Sequence, residues 1–323
     1  MSSAVAAEAA TSLVGDIGAT HARFGMVAAN GNLLHSQTLS DEDHPTIDGA
    51  LETFLAQRGP LPMPRQGAIA VASAITGDRV TMTNHPWVFS IRALKGRFGF
   101  DRLEVINDFT ALALALPRLT PNDRLAVGGG VAVAGAPIGV IGPGSGLGVS
   151  GLVPSGTGWI PLTGEGGHAT MAPATDRESA VLGRMRMHFD HVSAERALSG
   201  PGLVNLYNTL AQLDAVPARG FSAAQITDLA IRGEDPLCID TTHMFCAMLG
   251  TMAGNLALTL GARGGVYIGG GIVPRLGQVF ADSPFRERFE AKGRFNAYLA
   301  AIPTFVVIHP YPAFLGCAAL LAQ

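Results

Sequence analysis

The chain has 323 residues, of which 48% are hydrophobic and 15% are charged, and its formal net charge is −3. A chain of this length and apolar content can bury a large core, either in two domains or in one large α/β unit. The small net charge and the absence of a long basic run indicate neither nucleic acid nor an anionic membrane surface as a partner. The longest apolar segment, residues 244–260, is interrupted by Gly and Asn, so we expect a buried helix and no membrane span.

The cysteines and the N-terminal residues indicate the compartment. Cys238, Cys246 and Cys317 are too few and too scattered for a disulfide framework or a zinc site. We therefore expect reduced thiols in the core of a cytosolic protein. Residues 1–11 are small and polar and lack a basic segment, so we expect a loose tail and not a signal peptide.

The first third of the chain is predicted to form a mixed sheet covered by helices. Two apolar runs flank a Gly-Ala-Thr turn, which is typical of a β-hairpin, and Asn30-Gly31 predicts a second hairpin turn. Three antiparallel strands followed by alternating helices and strands favour this α/β architecture. The predicted strands cover residues 13–17, 22–28, 33–39, 68–72 and 103–106, and the predicted helices cover 47–57, 91–98 (capped by Ser90) and 109–116.

A polar segment with two prolines, residues 117–123, is predicted to separate this region from the next. After it, a strand, a glycine-rich turn and another strand repeat the opening plan without repeating its residues. A capping box formed by Ser222 and Gln225 predicts the start of one of several helices. The remaining predictions are strands at 137–142, 147–152, 266–268 and 304–308, and helices at 177–188, 201–213, 222–231, 241–260 and 312–321.

The glycine-rich turn at residues 15–20 is a candidate phosphate site. Successive backbone N–H groups in such a turn can bind an anion, and the Thr20 hydroxyl can donate to a phosphate oxygen. Asp16 can hold a magnesium ion through water. A plain hairpin explains the same residues, because Asp and Gly are ordinary turn residues.

Asn107 and Asp108 follow a predicted buried strand and precede a predicted helix. Ligands of open α/β sheets gather at the carboxyl ends of strands, and Asp108 can there accept a proton from a substrate hydroxyl. Either residue can instead serve as the N-cap of the helix. The two roles are compatible, because a cap can fix the orientation of the carboxylate.

Glu165 and His168 lie among the glycines of residues 163–168. Glycines let a rigid ligand approach the backbone closely. Glu165 can accept hydrogen bonds from two vicinal hydroxyls, and His168 can donate or accept one. A glycine loop with incidental polar residues is the alternative, and a metal site is disfavoured because no third ligand is near.

Two further glycine loops, residues 142–148 and 264–275, contain or follow predicted strand ends. The first can hold a second face of a polyphosphate, and the second can pack against an adenosine. Neither matches the Walker pattern or a placed G-x-G-x-x-G motif. Three phosphate-type glycine turns with the strand-end Asp108 between them are together a much stronger signal than any one of them.

In this order the segments resemble the bacterial glucokinase family outside the ROK branch, within the superfold shared by sugar kinases, actin and chaperone ATPases. The resemblance extends over nearly the whole chain, and its longest and most specific parts are ITGDRVTMTNHPW and HVSAERALSGPGLVNLY. Shorter parts are GDIGATHARFG, EVINDFTALA, GPGSGLGV, GEGGH, GGVYIGGGIVPR and AKGRF. ROK kinases share a GExGH-type element but carry a clustered-cysteine zinc motif, which is absent from this sequence.

The resemblance implies a two-domain, actin-like ATPase (hexokinase-type) α/β fold with a mixed sheet in each domain and an interdomain cleft. The small domain would contain residues 12–118 and 304–323, and the large domain would contain residues 119–303. The implied activity is ATP-dependent phosphorylation of D-glucose to glucose 6-phosphate, the first step of glycolysis. Mg²⁺ bound with ATP and a cytoplasmic homodimer are implied as well.

By the same resemblance, Asp108 is the catalytic base. The implied glucose ligands are Asn84, Asn107, Asp108, Glu165, His168 and Glu195. The implied nucleotide-binding residues are Gly15, Asp16, Ile17, Gly18, Ala19, Thr20, Gly144, Ser145, Gly146 and Gly270, and no side chain is implied as a direct metal ligand.

The first glycine turn departs from the family pattern D-x-G-G-T-N-A-R, because Ala19 replaces a Gly and His21 replaces the Asn. If that position requires a positive φ, Ala19 would cost about 1 kcal/mol. A sugar-binding protein without catalysis is therefore one alternative. An actin-like filament protein is another, although it does not explain GEGGH.

Overall fold

The computed structural model describes residues 11–83 and 85–323. These residues form two compact units. Unit 1 consists of the described residues up to Leu119 together with His309–Gln323, and unit 2 consists of Thr120–Ile308. Each unit has its own sheet and its own hydrophobic core.

The strands are numbered along the chain. Those of unit 1 are β1 (Thr11–Ile17), β2 (His21–Ala28), β3 (Leu33–Ser40), β4 (Gln66–Val71), β5 (Arg79–Thr81), β6 (Val88–Ser90) and β7 (Arg102–Asn107). Those of unit 2 are β8 (Arg124–Val127), β9 (Ile138–Pro143), β10 (Leu147–Ser155), β11 (Gly158–Leu162), β12 (Val266–Ile268) and β13 (Thr304–Val307).

The α-helices are numbered in the same way. Unit 1 begins with α1 (Ile47–Ala56), α2 (Ile91–Phe98) and α3 (Asp108–Ala115). Unit 2 contains α4 (Asp176–Met185), α5 (Ala194–Ala197), α6 (Gly200–Leu213), α7 (Ala223–Arg232), α8 (Pro236–Leu260), α9 (Ile272–Leu276), α10 (Gln278–Ala281), α11 (Phe285–Glu290) and α12 (Asn296–Ala300). The chain then returns to unit 1 as α13 (Pro312–Leu321).

The sheet of unit 1 has the strand order β3-β2-β1-β4-β7. Strands β1, β2 and β3 pair antiparallel, whereas β4 and β7 run parallel to β1, so the predicted mixed sheet is confirmed. The register pairs Ile17 with Val71 and Val71 with Asn107, which places the carboxyl ends of β1, β4 and β7 side by side. Ligands bind at this edge in open α/β sheets.

Both faces of this sheet are covered. Successive residues of a strand point to opposite faces, so Leu13 packs in the core with α1 and α2, while Val14 packs with α13. Helix α13 also lies against α3, and a Cβ added to Gly316 would stand 1.7 Å from the carbonyl oxygen of Ala111. Glycine at position 316 therefore lets the two helices meet at their backbones, and α13 supports the helix that begins with Asp108.

The sheet of unit 2 has the strand order β11-β10-β9-β12-β13-β8. Strands β9, β12 and β13 run parallel, and β9 and β10 form an antiparallel hairpin around the glycine turn at residues 144–146. The second sheet thus repeats the plan of the first, in which a hairpin with a glycine turn is extended by parallel strands. The repeat predicted from the sequence is confirmed.

Helix α8 is long and apolar enough to cross a membrane by length and composition alone. Within the described structure it packs against α6, α7 and α11, and 61% of its most apolar window is buried. The expected buried helix is therefore present. It begins at Pro236, earlier than the predicted residue 241, and ends at Leu260, followed by the C-cap Gly261 with φ of +60°.

Two expected domain boundaries differ from the structure. The expected small domain includes residues 304–308, but β13 pairs with β12 and β8 in the sheet of unit 2, and the chain enters unit 1 again at His309. Thr11 was expected in a loose tail but is buried at the start of β1, where it pairs with Ala28. Residues 1–10 lie outside the described residues.

Candidate active site

The turn between β1 and β2 lies at the carboxyl edge of the sheet of unit 1. The Gly18 N–H donates to the carbonyl of His21 at 3.0 Å, and the Thr20 hydroxyl bonds to a ring nitrogen of His21 at 2.8 Å. Among the described residues, Ala215 is the only non-glycine residue with a positive φ, so Ala19 carries no such strain. The expected cost of Ala19 is therefore absent, and Ala19 keeps the backbone N–H that an anion site requires.

Asp16 lies one residue before the end of β1. Its carboxylate forms an ion pair with Arg23, with Nη1 and Oδ2 3.2 Å apart. Burial raises the pKa of Asp16, and the charge of Arg23 acts in the opposite direction. The neighbouring Gly15 serves packing, because a Cβ there would lie 3.1 Å from Ile69 and 3.3 Å from Phe24.

Asn107 and Asp108 divide two tasks at the end of β7. Asn107 is the N-cap of α3: its Oδ1 accepts from the N–H groups of Phe109 (2.9 Å) and Thr110 (3.2 Å), and its Nδ2 donates to the carbonyl of Ser73 (3.4 Å). Asp108 is the first residue of the helix, and its Oδ1 accepts from the N–H of Phe109 at 2.9 Å. The N-terminus of a helix carries a partial positive charge, which interacts favourably with the carboxylate of Asp108.

Asn84 lies outside the described residues, so its expected contact with a sugar stays a prediction. The residue before it, Thr83, donates its N–H to the hydroxyl of Ser73 at 2.8 Å. Ser73 follows the carboxyl end of β4, next to Asn107 at the end of β7. Sequence reasoning missed Ser73, although a small polar residue after a buried strand is the signal that identified Asn107.

The glycine turn of unit 2 contacts one of the implied sugar ligands. The Gly144 N–H donates to the carbonyl of Gly146 at 2.8 Å, and Ser145 between them is exposed. The N–H of Leu147 donates to Oε2 of Glu195 at 2.8 Å. A Cβ added to Gly146 would stand 2.5 Å from the same Oε2, so glycine at this position leaves room for the carboxylate.

The glycines of the GEGGH segment serve packing against β10. A Cβ added to Gly167 would stand 2.0 Å from the carbonyl oxygen of Leu147, and one added to Gly166 would stand 2.8 Å from Cγ1 of Val149. Packing on β10 therefore explains glycine at positions 166 and 167, and the expected approach of a ligand to this segment stays a prediction. Both glycines lie close to β10, because residues 166–168 form a short 3₁₀ turn that packs against this strand.

The side chains of Glu165 and His168 are exposed on this turn. The His168 N–H donates to the carbonyl of Glu165 at 3.0 Å, which fixes the turn. The N–H of Ala194 donates to the carbonyl of Ala169 at 2.8 Å, and this bond joins the end of the turn to the start of α5, which carries Glu195. Unit 2 thus brings the backbone segments that carry Glu165, His168 and Glu195 together, although they are distant in sequence.

Gly270 lies beside the glycine turn of unit 2. Its φ is +77°, and an added Cβ would stand 2.3 Å from the carbonyl oxygen of Pro143. The preceding Gly269 donates its N–H to the carbonyl of Ile141 at 2.9 Å. Only glycine combines this backbone angle with this close approach, so the end of β12 packs directly on the end of β9.

Each unit therefore presents polar side chains and a glycine turn near the carboxyl ends of parallel strands. Sugar kinases with the actin-like ATPase fold are the class of protein that this architecture defines. Three comparisons identify the chain more closely within that class.

A profile of the family described as Glucokinase matches residues 13–323. The curated glucokinases of Aromatoleum aromaticum and Paramagnetospirillum magneticum are each 51% identical to this chain, over 96% of it and over 94% and 97% of their own lengths. The crystal structure of a glucokinase from an Antarctic psychrotroph has a TM-score of 0.87 and 38% identity, and covers 96% of this chain and 98% of its own.

The chain belongs to the glucokinase family, and it catalyses the ATP-dependent phosphorylation of glucose. The resemblance found in the sequence and the expected two-domain α/β fold are confirmed. These findings favour a glucokinase over the two alternatives, a sugar-binding protein without catalysis and an actin-like filament protein.

Proposed function

We propose that Asp108 is the general base in the transfer of the γ-phosphoryl group of ATP to the 6-hydroxyl of D-glucose, the first step of glycolysis. The observation that carries this proposal is the division of tasks at the end of β7. Asn107 is the N-cap of α3, and Asp108 follows it as the first residue of the helix. Asp108 thus lies in the first turn of the helix, at the sheet edge where ligands of α/β folds bind.

The chemistry assigned to Asp108 is modest. Phosphoryl transfer passes through a loose transition state, so the protein mainly aligns donor and acceptor and stabilises charge. A sugar hydroxyl is far less acidic than a carboxylic acid, so Asp108 orients the oxygen and takes its proton as the new bond forms. Exclusion of water from the site would prevent hydrolysis of ATP.

The sugar ligands are proposed to be Glu165, His168, Glu195, Asn107 and Asn84, besides Asp108 itself. The exposed Glu165 carboxylate can accept from two vicinal hydroxyls. The Oδ1 of Asn107 already accepts two backbone bonds, so its contribution to the sugar is an N–H donor. Ligands that pair every sugar hydroxyl reject analogues that lack one, because a buried polar group would then be unpaired.

The nucleotide is proposed to bind the two glycine turns. In unit 1 these residues are Gly15, Asp16, Ile17, Gly18, Ala19 and Thr20, and in unit 2 they are Gly144, Ser145, Gly146 and Gly270. Support comes from backbone N–H groups in turns that follow strand ends, where an anion can be held without a cationic side chain. The Thr20 hydroxyl adds one donor if its contact with His21 is exchanged for phosphate.

Mg²⁺ is proposed to accompany ATP. Among the described residues, no cluster of three or more His, Cys, Asp or Glu side chains could hold a metal ion. Mg²⁺ usually keeps several waters and binds one or two carboxylates together with substrate phosphates, so it does not require such a cluster. Asp16 is the carboxylate we assign, because it is half-buried and lies at the carboxyl end of β1, beside the first glycine turn. When bound, the ion would neutralise charge that develops on the phosphate oxygens.

The protein is also proposed to be a cytoplasmic homodimer, as the family resemblance implies. The cysteines are buried and free, which agrees with a reducing compartment. Multi-angle light scattering of the purified chain measures the assembly directly. A monomer mass at micromolar concentration would contradict the dimer.

The test of the base is Asp108→Asn. Asparagine can still accept the N–H of Phe109, so α3 should keep its first turn. We expect kcat to fall about 10²–10⁴-fold, because asparagine cannot take the proton. Glucose affinity, measured by calorimetry without ATP, should stay within about threefold, since the amide retains the size and a hydrogen bond of the carboxylate.

Asp101→Asn is the matched control. Asp101 precedes β7 and pairs with Arg65 at the surface, at the amino end of the strand that ends before Asp108. This control should turn over like the parent. Near-parental kcat in the Asp108 variant would exclude the proposed base.

A further inference from the structure

Ser73 occupies a position that connects two parts of the proposed sugar site. It lies after the carboxyl end of β4 and is 5% exposed. Its own N–H donates to the carbonyl of Val71 at 2.8 Å, which turns the chain sharply at the end of the strand. As a result, the hydroxyl of Ser73 contacts Thr83, whereas its carbonyl contacts Asn107.

The hydroxyl of Ser73 holds the segment that leads to Asn84. Its Oγ accepts the N–H of Thr83 at 2.8 Å and bonds to the hydroxyl of Thr83 at 3.1 Å. These contacts fix the residue immediately before Asn84 to the end of β4. Within residues 11–83 and 85–323, Ser73 therefore joins two loops at the carboxyl edge of the unit 1 sheet.

The carbonyl of Ser73 orients Asn107. It accepts from Nδ2 of Asn107 at 3.4 Å, while Oδ1 of the same amide accepts from Phe109 and Thr110. This network fixes which side of the amide carries the nitrogen. One N–H of the amide then remains for a ligand, and its direction depends on the position of Ser73.

We propose that Ser73 is a positioning residue that sets the segment before Asn84 and the Asn107 amide for binding of the sugar. The proposal rests on the proposed function, because Asn84 and Asn107 are assigned to the sugar only there. Ser73 itself need not touch glucose. Its effect should appear in the binding of glucose and not in that of ATP.

Ser73→Ala tests this role. We expect the KM for glucose to rise about five- to tenfold, the scale of one lost hydrogen bond. The KM for ATP and kcat should stay within about twofold, because the first glycine turn and Asp108 keep their contacts. Thr83→Val removes only the hydroxyl bond and keeps the N–H donor, so the KM for glucose should rise by about two- to threefold.

Ser12→Ala is the matched control. Ser12 is also buried, at 7% exposure, and its hydroxyl accepts from Gln66 at 2.9 Å at the amino ends of β1 and β4 in the same sheet. Loss of this bond should lower the melting temperature much as Ser73→Ala does but leave the KM for glucose unchanged. The comparison separates a general loss of stability from a specific loss of sugar binding.

A KM for glucose within twofold of the parent in folded Ser73→Ala would overturn the proposal. Equal rises in the KM values for glucose and ATP would also overturn it, because they would indicate a structural role alone. If Ser73→Ala does not fold, Thr83→Val decides, and an unchanged KM for glucose then counts against Ser73. Absence of glucose phosphorylation by the parent would instead contradict the proposed function.

Discussion

Asp41 is a buried acidic residue whose charge is poorly compensated. It is 4% exposed, and within the described structure no side chain donates a hydrogen bond to its carboxylate oxygens. The nearest cationic group is His85, with Nε2 and Oδ2 3.7 Å apart. Burial raises the pKa of Asp41, whereas the nearby His85, His21 and His44 and the backbone N–H of Ala22 act in the opposite direction. The Nδ1 of His85 accepts from the N–H of Trp87, so the neutral ring carries its proton on Nε2, towards Asp41.

Asp41→Asn should therefore stabilise the protein at neutral and alkaline pH. The pKa of Asp41 is higher in the folded than in the unfolded state, so its stabilising contribution is present below the unfolded pKa and is lost as pH rises through the folded pKa. At pH 8 the parent bears the cost of a buried charge that the variant lacks. We expect a gain of about 1 kcal/mol, or 2–4 °C in melting temperature.

Differential scanning fluorimetry between pH 4 and pH 8 measures this effect. The gain should shrink as the pH falls, because the parent carboxyl takes up a proton and the buried charge is removed. A variant that is less stable than the parent at pH 8 would show that Asp41 has a compensating partner.

At the scale of elements, local signals predicted helix ends well. The hydroxyl of Ser90 caps α2 by accepting from the N–H of Ala93, and Ser222 and Gln225 form the predicted capping box of α7. Caps can be found in a sequence because their partners lie within three residues. The packing of Gly166 on β10 has no such signal, because its partner belongs to another strand. The sequence therefore drew attention to this glycine but did not reveal that it packs on β10.

Gly146→Ala tests the contact between a glycine turn and α5. The added Cβ would stand 2.5 Å from Oε2 of Glu195, which must then move. The end of a glutamate side chain moves at little cost, so the melting temperature should change by less than about 3 °C. The displaced carboxylate would lose the N–H of Leu147, and we expect the KM for glucose to rise about tenfold.

Steady-state kinetics with glucose varied at saturating ATP checks this expectation. Gly129→Ala is the control, because Gly129 has negative φ and an added Cβ there would have no neighbour within 4 Å. An unchanged KM for glucose in the Gly146 variant would indicate that Glu195 does not bind the sugar, or that its carboxylate is not displaced by the added methyl group.

The ion pair between Glu178 of α4 and Arg288 of α11 stabilises unit 2. Their side chains are 3% and 13% exposed, and the nearest atoms are 2.6 Å apart. Glu178→Gln would leave the Arg288 charge buried without its partner, so we expect the free energy of unfolding to fall by about 3 kcal/mol. Urea denaturation followed by circular dichroism measures this loss.

The adjacent Arg177 provides the comparison. It pairs with Asp214 and Asp240 but is 44% exposed, so Arg177→Gln should cost about 1 kcal/mol or less. Equal losses in the free energy of unfolding of the two variants would show that burial does not make the Glu178 ion pair more important for stability.

For the whole molecule, the sequence predicted the two α/β units and the repeated hairpin plan, because apolar periodicity and glycine turns are visible over short stretches. The resemblance also implied that the last helix belongs to the first unit, but the expected boundary at residue 304 assigned β13 to the wrong unit. The residues of β13 predict a strand but do not indicate which sheet contains it, because its partners β12 and β8 lie elsewhere in the chain. Likewise, Asp108 was found at a strand end, whereas Ser73 became visible only through its contacts with Thr83 and Asn107.

The return of α13 to unit 1 affects how the protein is made. Helix α13 follows all of unit 2 in the chain, so a ribosome adding 5–20 residues per second produces it roughly 10–40 s after α3. Until then, the apolar face that includes Val14, Ala68 and Ala111 has no cover in the nascent chain. Unit 1 can therefore complete its fold only after unit 2 has been translated, and chaperones have that interval in which to bind it.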